Sequence, residues 1–163
     1  APRGCRRAGS TYGARRSRDP ASRSTPSAIA RPAPPIRDVS KAEIALVTTC
    51  GLIRKGNLER QVSRRSDRYF RHSIEGLEEL KNTEWEAFHS GYYNKIASDD
   101  PNYILPLRQM RFLESQKFVG QIHPWIFTLA GVGTPVAMSK KIGQRMAQEL
   151  VDGGVDGVLL TAS

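Results

Sequence analysis

Apolar residues gather in three continuous runs along the chain, separated by stretches with a helical beat. Ile44-Ala45-Leu46-Val47-Thr48-Thr49 is the first run, closed by Cys50-Gly51. It does not alternate between apolar and polar, so it predicts a strand buried on both faces, the pattern of a parallel sheet lying under helices. Ile122 to Leu129, with Trp125 and Phe127 inside it, predicts a second such strand, closed by Ala130-Gly131-Val132-Gly133. Val155-Asp156-Gly157-Val158-Leu159-Leu160-Thr161 predicts a third.

The segments between them complete the pattern. Residues 52–72 are polar and basic, with Gly56-Asn57 as a turn, and predict a long loop. Ser73 to Leu80 predicts a short helix or turn, and Trp85 to Phe88 a weak strand that runs into the loop His89-Ser90-Gly91-Tyr92-Tyr93. Asp99-Asp100-Pro101 has the acidic and proline signals of a helix start, with Pro101 opening a preceding turn, Pro106 opening the main helix and Gly120 ending it. Leu105, Leu107, Met110, Phe112, Leu113 and Phe118 are the expected apolar side of that region. Thr134-Pro135 stands in N-cap and first-turn positions of a further helix, which Val136, Ile142, Met146, Leu150 and Val151 carry to Gly153-Gly154. Strand, helix, strand, helix, strand is the signature of βαβ units. The predicted fold is therefore α/β, a mainly parallel sheet with crossover helices of the Rossmann-like or flavodoxin-like kind. The chain stops just past its third strand, where a loop at the carboxyl end of the sheet would begin. This reads as an α/β domain incomplete at its C-terminus.

Composition changes the picture mainly at the N-terminus. Among 163 residues, 25 Lys+Arg against 16 Asp+Glu leave a net charge of +9. Residues 1–40 hold nine arginines, two aspartates, no lysine and six of the ten prolines. The basic character thus belongs mostly to a tail, which has too few large apolar side chains to offset the entropy of ordering it. We divide the chain into a disordered Arg/Pro/Ser-rich tail or non-native leader, residues 1–38, and an α/β part, residues 39–163. No apolar run is long enough to cross a membrane. Two cysteines and three scattered histidines supply neither a disulfide framework nor a metal-ligand spacing.

In an α/β sheet, chemistry is sought where strands end. Gly131-Val132-Gly133-Thr134 follows one strand and opens a helix, the place for backbone N–H groups to hold an anion or simply for a tight turn. His89, beside Gly91 and Tyr92, sits at another strand end, where a histidine serves as acid, base, ligand or hydrogen-bonded structural residue. Cys50 ends the first strand near Lys55 and reads either as a reactive thiol or as a small buried hydrophobe. His72 falls in the basic loop and His123 in an apolar strand. Glu75, Glu78, Glu79 and Lys81 read as solvated surface, and Trp85, Trp125 and Phe127 as core. The residues expected to line a cleft are Thr48, Thr49, Gly51, His89, Gly91, Tyr92, Gly131, Gly133 and Thr134.

A family resemblance appears at the same strand ends. Lys41 to Asn57, His89-Ser90-Gly91-Tyr92, Asp99 to Pro106, Gly131 to Ala137 and Gly154 to Ser163 resemble, in order and spacing, segments of the selenoprotein subunit of glycine/sarcosine/betaine reductase component B. The likeness covers about residues 36–163. The sequence differs from that pattern at Cys50 and Ser90, where the family has glycine, and at Tyr93, where it has an acidic residue. In the family, selenocysteine follows the last of these segments, so the catalytic residue is expected directly after Ser163 and none within the chain. The resemblance implies reductive C–N cleavage: a selenolate attacks the α-carbon of an amino-acid substrate, expels the amine, and leaves a Se-carboxymethyl intermediate that leads to acetyl phosphate. It further implies a pyruvoyl group on a partner subunit of component B. Components A and C would be further partners, with thioredoxin involved indirectly, and the location would be cytoplasmic with no metal, nucleotide, nucleic acid or membrane. The chain alone is expected to be inactive. Two rival readings are a nucleic-acid-binding protein using its arginine tail, and a non-catalytic small-anion module using the Gly131 loop.

Overall fold

The structure is a computed structural model and describes residues 33–162. The tail expected over residues 1–38 therefore lies, up to residue 32, outside the described residues. The compact unit that holds the predicted strands spans Pro35–Ser163.

Strand β1, Glu43–Thr48, is central and buried on both sides. Ala45 and Val47 face one way, with Phe127, Leu129, Ile142, Met146 and Leu150. Ile44 and Leu46 face the other, with Leu52, Trp85, Leu105, Leu107 and Ile126. The unbroken apolar run follows from this: in a pleated strand successive side chains point to opposite faces, and here each face has a core.

The remaining elements arrange themselves around β1. β2 (Leu52–Arg54) and β4 (Trp85–Ala87) form a separate antiparallel ribbon. β3 (Phe70–Ser73) is the antiparallel edge of the main sheet. α1 is Asn94–Asp99 and α2 Leu107–Ser115. β5 (Gln121–Ile122) and β6 (Trp125–Thr128) follow one another along the same side of β1, both parallel to it. α3 runs Val136–Asp152, and β7, Gly157–Thr161, pairs in parallel with β1, Ile44 opposite Gly157 through Thr48 opposite Thr161. β1 thus lies between β7 and the β5/β6 pair, with β3 outside β6.

The α/β fold with a mostly parallel sheet is as the sequence predicts, with several differences in detail. The expected loop over 52–72 contains β2 and β3, because short strands in a polar, arginine-rich stretch leave no apolar run to read. Of the two readings of Ser73 to Leu80, the turn is the one found. The run Ile122 to Leu129 is broken: Ile44 faces Ile122 while Val47 faces Phe127, so His123 and Pro124 are inserted as a bulge. α1 forms before Asp100, where a start was expected. The turn expected to open at Pro101 is found as the 3-10 turn Pro101–Tyr103, capped by Asp100, whose carboxylate accepts from the Asn102 N–H at 3.1 Å. α2 begins after Pro106 but ends at Ser115, before Gly120, with Lys117 in a left-handed conformation (φ 64°) just beyond it. Its Phe112 is exposed, as is Phe118 beyond it, and Trp125, expected in the core, lies on the surface with the Arg71 guanidinium 4.9 Å above its ring.

Candidate functional site

Three chain segments meet at the carboxyl ends of the parallel strands. Thr49 is pinned there by the backbone: its N–H donates to Thr161 O at 3.0 Å and its O accepts from the Gly131 N–H at 2.9 Å. Gly51 follows in a left-handed conformation (φ 69°), and a Cβ on it would lie 2.4 Å from Phe88 O. That close approach lets Phe88 N–H donate to Gly51 O at 2.7 Å, which draws the next residue, His89, to the end of β1.

The His89 loop is held from within. Asn94 clamps it, accepting from the His89 N–H at 3.1 Å and donating to His89 O at 2.9 Å. His89 is 3% exposed, and its Nδ1 accepts the Gly91 N–H at 3.1 Å, so the neutral ring carries its proton on Nε2. Burial holds its pKa below the ordinary 6.5, so the ring is uncharged at neutral pH. Tyr92 packs against it with ring centroids 4.8 Å apart and donates its hydroxyl to Cys50 O at 2.7 Å. Burial, with Cys50 beside it, pushes the Tyr92 phenol well above its usual value.

These elements enclose a cleft of about 600 Å³. Thr49, His89, Gly91, Tyr92, Gly131 and Thr134 line it, together with apolar side chains of β1, β7 and α3. Of the nine residues expected at such a cleft, Thr48, Gly51 and Gly133 lie elsewhere. Thr48 is fully buried on the opposite face of the sheet, its hydroxyl 3.4 Å from Ile104 O and accepting from the Cys50 N–H. An even-numbered residue of β1 shares the side of Ile44 and Leu46. Gly51 serves the crossing beneath Phe88, and Gly133 (φ 69°) lies against the side chain of Arg65. Thr134, expected to cap α3, does not: Pro135 holds the cap position, α3 has no side-chain cap, and the buried Thr134 Oγ1 has no hydrogen-bond partner among the described residues.

Sequence reasoning missed the helical wall. Ser139, Ile142, Gly143 and Met146 line the cleft at spacings of three and four, one side of α3. The spacing was visible, but nothing in it says that the helix folds back over its own N-terminal loop. Cys50 is 3% exposed and borders a second hollow, of about 520 Å³, with Tyr92, Tyr103, Ile104, Thr161 and Ala162. His72 and His123 do not line the cleft. His72 is buried beside Glu59 and Thr128, and His123 Nδ1 lies 2.6 Å from Glu43 Oε1. Among the described residues no three His, Cys, Asp or Glu side chains converge on a metal position, and no helix is long and apolar enough to cross a membrane.

A family model described as glycine/sarcosine/betaine reductase selenoprotein B matches residues 25–163. Over 132 residues the chain is 36% identical to glycine reductase complex component B subunit gamma of Peptoclostridium acidaminophilum, covering 81% of this chain and 30% of that one. It is 35% identical over 131 residues to betaine reductase complex component B subunit beta of the same organism (80% and 30% covered). The corresponding sarcosine reductase subunit is 31% identical over 132 residues (81% and 30%). The chain thus spans about 30% of the length of these relatives. No solved structure matches it. The chain belongs to the glycine/sarcosine/betaine reductase selenoprotein B family, an oxidoreductase family.

Proposed function

We propose that the cleft is the substrate site of an amino-acid reductase of the glycine, sarcosine or betaine type, which cleaves the bond between the α-carbon and the amine nitrogen. The observation that supports this reading is the convergence of the His89 and Gly131–Thr134 loops, about forty residues apart in sequence, on one cleft at the strand ends. Both loops belong to segments that resemble the family.

Selenocysteine, which the family's description implies, supplies a nucleophile that is ionised at neutral pH, as a lowered pKa does for a reactive thiol. On this reading its place is directly after Ser163. β7 ends with Thr161 beside Thr49, and Ala162 borders the hollow that shares Tyr92 with the cleft. The residues of the chain bind and orient. An uncharged His89 ring does not repel a cationic amine, and the buried Val47, Leu129 and Ile142 give the cleft an apolar wall against which the reacting carbon would lie. The whole protein's partners on this reading are a pyruvoyl-bearing subunit and reductase components A and C, with thioredoxin supplying reducing equivalents indirectly, in the cytoplasm.

The test is a titration of the full chain, residues 1–163, with glycine, sarcosine and betaine, followed by the imidazole resonances of the three histidines and by release of the corresponding amine. Binding that shifts the His89 signals, without amine release, is the expected result. Absence of binding by all three compounds overturns the cleft assignment, and amine release by this chain alone overturns the assignment of the nucleophile to a position beyond it.

A further inference from the structure

The cleft has no charged wall. Among the described residues that line it, none is Asp, Glu, Lys or Arg. Yet glycine, sarcosine and betaine, named in the family's description, all carry a carboxylate and differ only in the methyl groups on nitrogen. A site that accepts this series needs a fixed anchor for the anion and a tolerant surface for the amine.

One arginine, Arg65, stands beside the Gly131–Thr134 turn without lining the cleft itself. The segment Ser63–Ser66 is stitched to both walls of the cleft. Ser63 O accepts from the Ser90 N–H at 2.9 Å, in the His89 loop. The Ser66 hydroxyl donates to Ala130 O at 2.8 Å and accepts from the Ala130 N–H at 3.2 Å. Between them Arg65 adopts φ 52° and donates its N–H to Val132 O at 2.8 Å. Its side chain runs over Gly133: a Cβ there would meet Arg65 Cγ at 3.4 Å and Nε at 3.9 Å. The guanidinium end of Arg65 is thus brought against the turn whose Val132 and Thr134 line the cleft. The ion pairs of Arg54, Arg71, Arg108 and Arg111 hold those four arginines elsewhere, and Arg65 is in none of the ion pairs among the described residues.

We propose that Arg65, with the Thr134 hydroxyl, binds the substrate carboxylate at the Gly131–Thr134 end of the cleft and leaves the amine against His89 and Tyr92. This rests on the reading given under Proposed function. A guanidinium binds carboxylate through two parallel N–H groups, and Thr134, a cleft-lining residue whose buried Oγ1 has no hydrogen-bond partner among the described residues, turns that hydroxyl to the carboxylate as a third polar contact. The start of α3, which has no side-chain cap, adds the positive end of a helix dipole. At the other end, the uncharged His89 and the aromatic Tyr92 accommodate an ammonium whether or not it is methylated.

The test compares carboxylates with their uncharged amides on the full chain: glycine against glycinamide, and betaine against betaine amide. The variants are Arg65→Asn, whose residue type tolerates the left-handed backbone at position 65, Arg65→Lys, and Thr134→Val. The wild-type chain is expected to prefer the carboxylate, and Arg65→Asn to weaken carboxylate binding by about tenfold or more while amide binding and the unfolding midpoint stay unchanged. Arg65→Lys should retain part of the preference, since lysine keeps the charge but not the paired geometry, and Thr134→Val should lose part of it. An unchanged carboxylate-to-amide ratio in Arg65→Asn overturns the assignment of Arg65 while leaving the cleft as the substrate site. Failure of the wild-type chain to bind glycine, sarcosine or betaine overturns the cleft reading itself, and this inference with it.

Discussion

Two histidines, His72 and His89, are buried to 5% and 3% exposure, and burial holds both below the ordinary pKa of 6.5. At His72 the nearby Glu59 opposes the shift and Arg54 adds to it. The unfolded chain therefore takes up protons near pH 6.5 that the folded chain refuses. Stability is complete above that pH and declines as pH falls through it toward the folded values. Urea unfolding should give a lower midpoint at about pH 5.5 than at about pH 7.5, and His72→Gln should reduce the difference. A midpoint independent of pH across that window would show that the two rings are not held uncharged. At this scale the sequence was partly legible. His89 announced itself by standing at a strand end beside glycine, and the structure places it at the cleft. Thr48 carried the same signal, but strand parity turns it to the far side of the sheet, and parity can be applied only once the face bearing the cleft is known. Arg65 carried no signal, because one arginine among several in a polar stretch looks like solvated surface until its neighbours in space are seen.

Among the elements, α3 joins the core to the cleft. Ile142, Met146 and Leu150 recur every four residues and pack on Ala45, Val47, Phe127 and Leu129, while Ser139 and Gly143, on an adjoining side, border the cleft. Leu150→Ala should cost about 2–5 kcal/mol, read from the urea midpoint. Val151→Ala, one position along and 69% exposed, should change stability by less than about 0.5 kcal/mol. Equal effects of the two would contradict the packing described for α3. The long elements were readable because their apolar periodicity is dictated by burial: β1 as a continuous run, α3 as an amphipathic stripe closed by Gly153-Gly154. β2, β3 and α1 were not, since three to six residues are too few to show a period. The Pro124 bulge likewise required sight of the partner strand, because only the register between β1 and β5/β6 reveals that residues are inserted.

Across the whole molecule, the described sheet is unevenly covered. β7 is paired on one side only, with β1. Its Val158 and Leu160 share the side of Ala45 and Val47 but are 49% and 58% exposed, because α3 packs over β1 and β6 rather than over β7. An apolar strand with an unpaired edge promotes self-association. Val158→Thr with Leu160→Thr should reduce concentration-dependent self-association in size-exclusion chromatography and light scattering. Unchanged association would place the sticky surface elsewhere. The sequence by itself determined the α/β class, the parallel central strands and the strand-end segments that identify the family, because hydrophobic burial writes its period directly into the chain. Only the tertiary structure decided which strand ends share a cleft, that Thr48 faces away from it, and that Arg65 lies against the turn at its rim. Those relations join residues tens of positions apart through backbone hydrogen bonds, and backbone groups are the same in every sequence.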